Sequence, residues 1–279
     1  MKNILTVVLT MILVPLSVFM VLWVANLIGV NPSELQGSGF QLKPANLVVA
    51  YLFVGLQFLF IWFCHRVIIG KPLSKLGFQK SRWLTMFIQG IIFGFTIKLL
   101  AYGANILFAK DFTLIWAVPS NVPTIEIAGY YVYYLIFLLT LNSFIEELVY
   151  RAFPLENIYS DKTTISPIFI VIAVGLLFAL VHHILEPFTW TVFISRFLFG
   201  VLAGQLYIQH RNIWLPIGLH NGWNWIGTSF TGYWKTGGLL KLEVLGSEVS
   251  KILVTNVLLT VIILFILLRN LNLTRIKRE

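Results

Sequence analysis

Charge is scarce in this chain: only 11% of its 279 residues are Asp, Glu, Lys or Arg, against 58% hydrophobic. A soluble domain carries about 25% charged residues, so the composition excludes one. Cysteine is scarcer still. The single copy, Cys64, sits in an apolar run, which rules out an internal disulfide and leaves the redox compartment open. No His-Glu-x-x-His helix occurs, so the familiar zinc-protease motif is absent. Internal repeats are missing too, and with them the matched halves a small transporter would show.

What the chain has is long greasy runs. Mean hydropathy is +0.87. Apolar stretches of membrane-spanning length fall at about 4–30, 45–69, 84–108, 127–150, 165–185, 190–209, 213–230 and 251–269. This predicts an all-α membrane protein, a bundle of about eight transmembrane helices. The first run follows Lys2 and is longer than the roughly 7–15 residues of a signal-peptide core, so it reads as a retained helix with a kink at Pro15. The stretches Asn31–Lys43, Gly70–Trp83, Lys110–Ile125 and Thr231–Ser250 read as loops.

The net charge of +9 sits mostly beside the apolar runs, as membrane orientation signals do, so nucleic acid is not an expected partner. Lys71, Lys75, Lys80, Arg82, Lys162, Arg211 and the tail Arg275–Arg278 fall on one side with Lys2. The other side holds fewer: Lys43, Lys110, Lys235, Lys241 and Lys251. This places both termini in the cytoplasm, with the basic tail near anionic lipid. Lys98 and Arg196 lie inside spans and are expected to snorkel or pair within the bundle.

Three polar groupings interrupt the later runs. Glu146 and Glu147 lie near the end of the fourth, with Arg151 four residues beyond Glu147 and on its helix face. Glu146 is turned about 100° away and is not neutralised by that arginine. Phe178 and His182 share a face of the fifth span, and His183 points elsewhere. His220 and Asn224 share a face of the seventh, between Trp223 and Trp225. Each grouping alone has a bland explanation: a charged helix cap, an interfacial histidine, a polar helix contact. Together, on three spans, they mark a functional site, because charge near the bilayer centre costs about 2.5 kcal/mol or more. Counting helix rise puts Glu146 roughly 17 Å, His182 roughly 24 Å and Asn224 roughly 16 Å below the nearest turns, a mid-membrane site biased toward the cytoplasm.

The chemistry these side chains suit is peptide hydrolysis. Glu146 with His182 can activate water, and His220 with Asn224 can hold the developing negative charge. Equally, Glu146, His182 and His220 suit a zinc ion that lowers the pKa of its bound water. Residue types alone leave both routes open.

Taken in order, Glu146-Glu147-x-x-x-Arg151, Phe178-x-x-x-His182 and His220-x-x-x-Asn224 resemble the CPBP family, the CAAX-protease and bacteriocin-processing (Abi) membrane proteins. Leu76-Gly77-Phe78 also looks like the family's Leu-Gly-Phe. The resemblance implies an eight-helix intramembrane endopeptidase with an intramembrane cavity. Its N-terminal helices would occupy 1–125, its catalytic core 126–230, and its last helix and basic tail 231–279. Glu146, His182, His220 and Asn224 would be catalytic, with Glu147, Arg151 and Phe178 supporting. Family members are described both as metalloproteases and as metal-independent glutamate proteases, so zinc is the one candidate cofactor. The implied substrate is a membrane-embedded or amphipathic peptide, and a bacterial plasma membrane the expected location. Bacterial members process peptides or bacteriocins or confer self-immunity. The alternative reading is a non-catalytic scaffold that regulates a membrane-protein partner: a sensor kinase, a transporter or a bacteriocin receptor.

Overall fold

The computed structural model describes residues 2–31, 44–158, 166–183, 187–230, 238–247 and 250–276. The first loop beyond Asn31 and the orientation signals Lys43, Lys162, Lys235, Lys277 and Arg278 lie outside them. Helix dominates, as the apolar runs require, since a backbone inside lipid must satisfy its own hydrogen bonds. The helices are α1 (Lys2–Leu27), α2 (Pro44–Trp62, prolonged by a π-helical turn Phe63–Ile68) and α3 (Trp83–Leu107). Next comes a compound helix: α4 (Thr124–Tyr133), a π turn (Tyr134–Leu139), α5 (Thr140–Glu147), a second π turn (Leu148–Ala152) and α6 (Phe153–Ile158). The rest are α7 (Pro167–His182), α8 (Trp190–His210), α9 (Trp214–Ser229) and α10 (Lys251–Ile276).

Five helices among the described residues are long and apolar enough to cross a membrane: Ile4–Leu27, Ala45–Ile68, Trp83–Leu107, Trp190–His210 and Lys251–Arg269. Pro167–His182 is apolar but shorter. The protein is thus an all-α integral membrane protein, while helix length does not yield the count of eight. The shortfall falls on the three segments that carry polar groupings. The compound helix is divided by π turns, and α7 and α9 are 16 residues each.

Two stretches read as loops contain strands. β1 (Asp111–Trp116) pairs antiparallel with β2 (Leu240–Leu245), Asp111 opposite Leu245 and Trp116 opposite Leu240. β-branched and aromatic residues crowd β1, a composition that favours strand. Pro119, Pro123 and the glycines beyond drew attention to the turns instead.

Two seams position the later helices. α3 and α9 meet backbone to backbone through Gly90 and Gly94 on one side and Gly218 and Gly222 on the other. A Cβ on Gly90 would lie 2.3 Å from the Leu215 carbonyl oxygen, and one on Gly94 2.1 Å from that of Leu219. Reciprocally, a Cβ on Gly218 would lie 2.1 Å from the Phe87 carbonyl oxygen, and one on Gly222 2.2 Å from that of Ile91. Small residues four apart are how membrane helices approach this closely. α7 and α8 meet similarly, a Cβ on Gly200 falling 2.9 Å from the Cα of Gly175. Leu76-Gly77-Phe78 forms a third brace. Gly77 has φ +82° and accepts the Ile213 N–H at 3.1 Å. Phe78 rests on Phe144 and Trp214, ring centroids 5.9 and 6.1 Å away, so it links α5 to the start of α9.

Candidate active site

Glu146 and Glu147 close α5, where the backbone loosens into a π turn. Such turns cluster at functional sites because the extra residue re-aims side chains. Across this one, Arg151 Nε stays 3.2 Å from Glu147 Oε2, both side chains 0% exposed. The contact is an ion pair without a well-directed hydrogen bond, since neither atom has a hydrogen-bond partner among the described residues. The guanidinium lies flat against aromatic rings, its carbon 4.0 Å from the Phe178 centroid and 5.7 Å from that of Phe199. Aromatic faces thus supply part of the surroundings a buried cation needs.

Glu146 turns the other way. Its Oε1 accepts the Asn142 amide at 2.8 Å. Its Oε2 lies 3.8 Å from His182 Nε2 and 3.7 Å from His220 Nε2, and has no hydrogen bond among the described residues. The depth mismatch counted for His182 does not keep these groups apart. His183 points away, its ring 4.9 Å from Phe188 and 6.0 Å from Phe193.

Both imidazoles are fixed through Nδ1. His182 donates to the Phe178 carbonyl at 2.7 Å, one helical turn back, and its ring stands edge-on to Phe178 at 4.5 Å. His220 donates to Glu147 Oε1 at 2.7 Å. Carbonyl and carboxylate oxygens only accept, so each Nδ1 carries the hydrogen and each neutral ring presents a bare Nε2. Three acceptors (Glu146 Oε2 and two Nε2 atoms) therefore face one another across gaps too wide for direct hydrogen bonds. A donor must sit among them, and a water molecule or a proton meets that need.

Asn224 is partly buried one turn beyond His220, and its side-chain amide makes no hydrogen bond among the described residues. Its backbone carbonyl accepts the Thr228 hydroxyl at 2.9 Å. Asn221 donates to the Thr140 hydroxyl at 2.6 Å, and that hydroxyl donates to the Leu135 carbonyl at 3.0 Å, inside the first π turn. This chain of bonds pins α9 to α5. Near its end, the Trp225 indole N–H donates to the Tyr131 hydroxyl, which also bonds Ser229 at 2.7 Å.

Zinc is tested by the donors and their spacing. Glu146, His182 and His220 have the right chemistry, and the Nδ1 contacts are of the kind that orient metal-bound histidines. The gaps of 3.7 and 3.8 Å are wider than the roughly 3.3 Å edge of a zinc tetrahedron. Among the described residues no three His, Cys, Asp or Glu side chains form a metal-holding group. As spaced here, the three side chains do not fit the ion.

Sequence reasoning missed several neighbours. Asn142 was within reach of the same four-residue rule that paired Glu147 with Arg151. Phe199, 5.1 Å from the His220 ring, carries no polar signal, and neither do Gly218 and Gly222. The tie between Asn221 and Thr140 spans 81 positions and needs the fold to be seen.

A carboxylate, two imidazoles and a buried glutamate–arginine pair thus meet among close-packed helices of a membrane protein. Residues 128–226 match the family described as type II CAAX prenyl endopeptidase Rce1-like. All three motifs fall inside that match. The motif-bearing segment matches this family's model, in agreement with the CPBP resemblance, and the match supports a protease at the general level. No curated protein and no solved structure matches the chain.

Proposed function

We propose that the protein is an intramembrane endopeptidase that hydrolyses a membrane-associated or amphipathic peptide with water activated by Glu146 and His182. The observation that carries this reading is the convergence of Glu146 Oε2 with two bare Nε2 atoms. Water held among them gives a proton to Glu146 as its oxygen adds to the scissile carbonyl carbon. The resulting oxyanion needs donors. His220 serves once its Nε2 has taken up a proton from solvent, its Nδ1–H still donating to Glu147 Oε1, and the Asn224 amide serves beside it. When the tetrahedral carbon collapses, the C–N bond breaks and the proton passes to the leaving nitrogen, with His182 as the relay. Arg151 offsets the charge of Glu147 and keeps that carboxylate an acceptor. Phe178 walls both the imidazole and the guanidinium.

The topology in this reading has both termini cytoplasmic and eight crossings. The compound helix, α7 and α9 then count as spans whose polar residues face the bundle interior. The test replaces Glu146 with Gln at matched protein abundance and compares tagged membrane peptides with those of the wild type. Loss of a defined set of cleaved termini is the expected result. Persistence of every terminus, with the host phenotype intact, would sink the protease and leave the scaffold reading.

A further inference from the structure

Away from the carboxylates, the bundle carries a second polar cavity, of about 50 Å³, where α3, α8 and α10 meet at the end of the molecule that bears the β1–β2 ribbon. Lys98, Tyr102, Ser195, Lys251 and Thr255 line it, together with Ile252. No carboxylate lines it, and neither ammonium has an acidic partner among the described residues. Both ammonium groups rest on aromatic faces instead. Lys98 Nζ lies 4.0 Å from the Trp223 centroid and Lys251 Nζ 4.9 Å from that of Tyr102. Two like charges at one small cavity repel, and placing a cation within a membrane helix is costly without a counter-charge. An anion between them removes both penalties. Tyr102 and Ser195 offer hydroxyl donors toward it, whereas the Thr255 hydroxyl is spent on the Lys251 carbonyl at 2.7 Å.

We propose that this cavity is a binding site for the phosphate headgroup of an anionic phospholipid in the leaflet at the ribbon end. What selects a lipid over a free anion is the surface beneath. Lys251 opens α10, and Leu253, Val257, Val261, Leu264 and Leu268 form an exposed apolar stripe along it. That stripe leads from the cavity toward the bilayer interior, where acyl chains attached to the headgroup would run. The site does not depend on the protease reading. Lys98 touches Trp223, and Phe199 in turn contacts both Trp223 and His220, its ring 5.0 Å from the first and 5.1 Å from the second.

Native mass spectrometry of the full chain released from detergent, titrated with phosphatidylglycerol or with phosphatidylcholine of the same acyl chains, tests the site. The wild type should retain phosphatidylglycerol in clear preference. Lys98→Met and Lys251→Gln should each cut that preference by about fivefold, the effect of one lysine near a lipid phosphate. Lys75→Gln, in the segment between α2 and α3, should leave it unchanged. Equal retention of the two lipids, or a preference that survives both substitutions, overturns the proposal. Displacement of the lipid by equimolar inorganic phosphate overturns it in favour of a free anion. Lys251 is exposed, so Lys251→Gln carries the test should Lys98→Met fail to fold.

Discussion

Two polar regions share one bundle and solve the problem of charge in lipid differently. Around Glu146 the signs are mixed. Glu147 answers Arg151 and orients His220, while Glu146 meets two imidazoles and Asn142. Around Lys98 the sign is single, and aromatic faces stand where carboxylates would otherwise be. The first region answers its charges with charges of its own, although Glu146 Oε2, Glu147 Oε2 and the Arg151 guanidinium make no hydrogen bonds among the described residues. The second lacks a carboxylate to answer its two ammonium groups. Chemistry belongs where a carboxylate meets two imidazoles, and binding belongs where a charge has no counter-charge.

The largest break in this contrast comes from the closed region. Glu146→Gln keeps shape but removes the base, and should lower peptide cleavage by about 10²–10⁴-fold, read as cleaved termini per unit of protein. Next is Arg151→Met, which strands the Glu147 carboxylate in a fully buried setting. It should cost about 3–5 kcal/mol in unfolding measured in detergent. The double variant Glu147→Gln/Arg151→Met should recover most of that loss, which separates ion pairing from packing. A smaller effect follows from the seam that carries His220. Gly218→Ala drives a methyl into the Phe87 carbonyl and should lower stability by about 1–3 kcal/mol. The effect nearest zero belongs to the exposed pair of Lys241 with Glu243 on β2. Glu243→Gln should change stability by less than about 1 kcal/mol.

The helical, membrane-spanning character was legible because apolar runs report it directly. So were the convergent groupings, because carboxylates and imidazoles stand out against so apolar a background. Four-residue spacing found the contact of Glu147 with Arg151 and the stacking of Phe178 on His182, both local relations within one helix. It did not find the bond between His220 and Glu147, which joins helices 73 positions apart. The π turns escaped because they alter hydrogen bonding, not hydropathy. They also divide the compound helix, so helix length does not by itself return a count of eight spans. The reciprocal packing of Gly90 and Gly94 with Gly218 and Gly222 becomes visible only once α9 lies against α3. The ribbon of β1 with β2 joins two distant loops, and no local pattern announces such a pairing. Lys98 was expected to snorkel or pair; its aromatic seat and shared cavity depend on three helices meeting.

The most direct measurement is a cleavage cycle through Glu146→Gln, His182→Ala and the double variant, all at equal abundance. Residues that act on one water fail together, so each single variant should fall to the same floor as the double. Losses that multiply independently, or cleavage that continues in Glu146→Gln, would contradict the account.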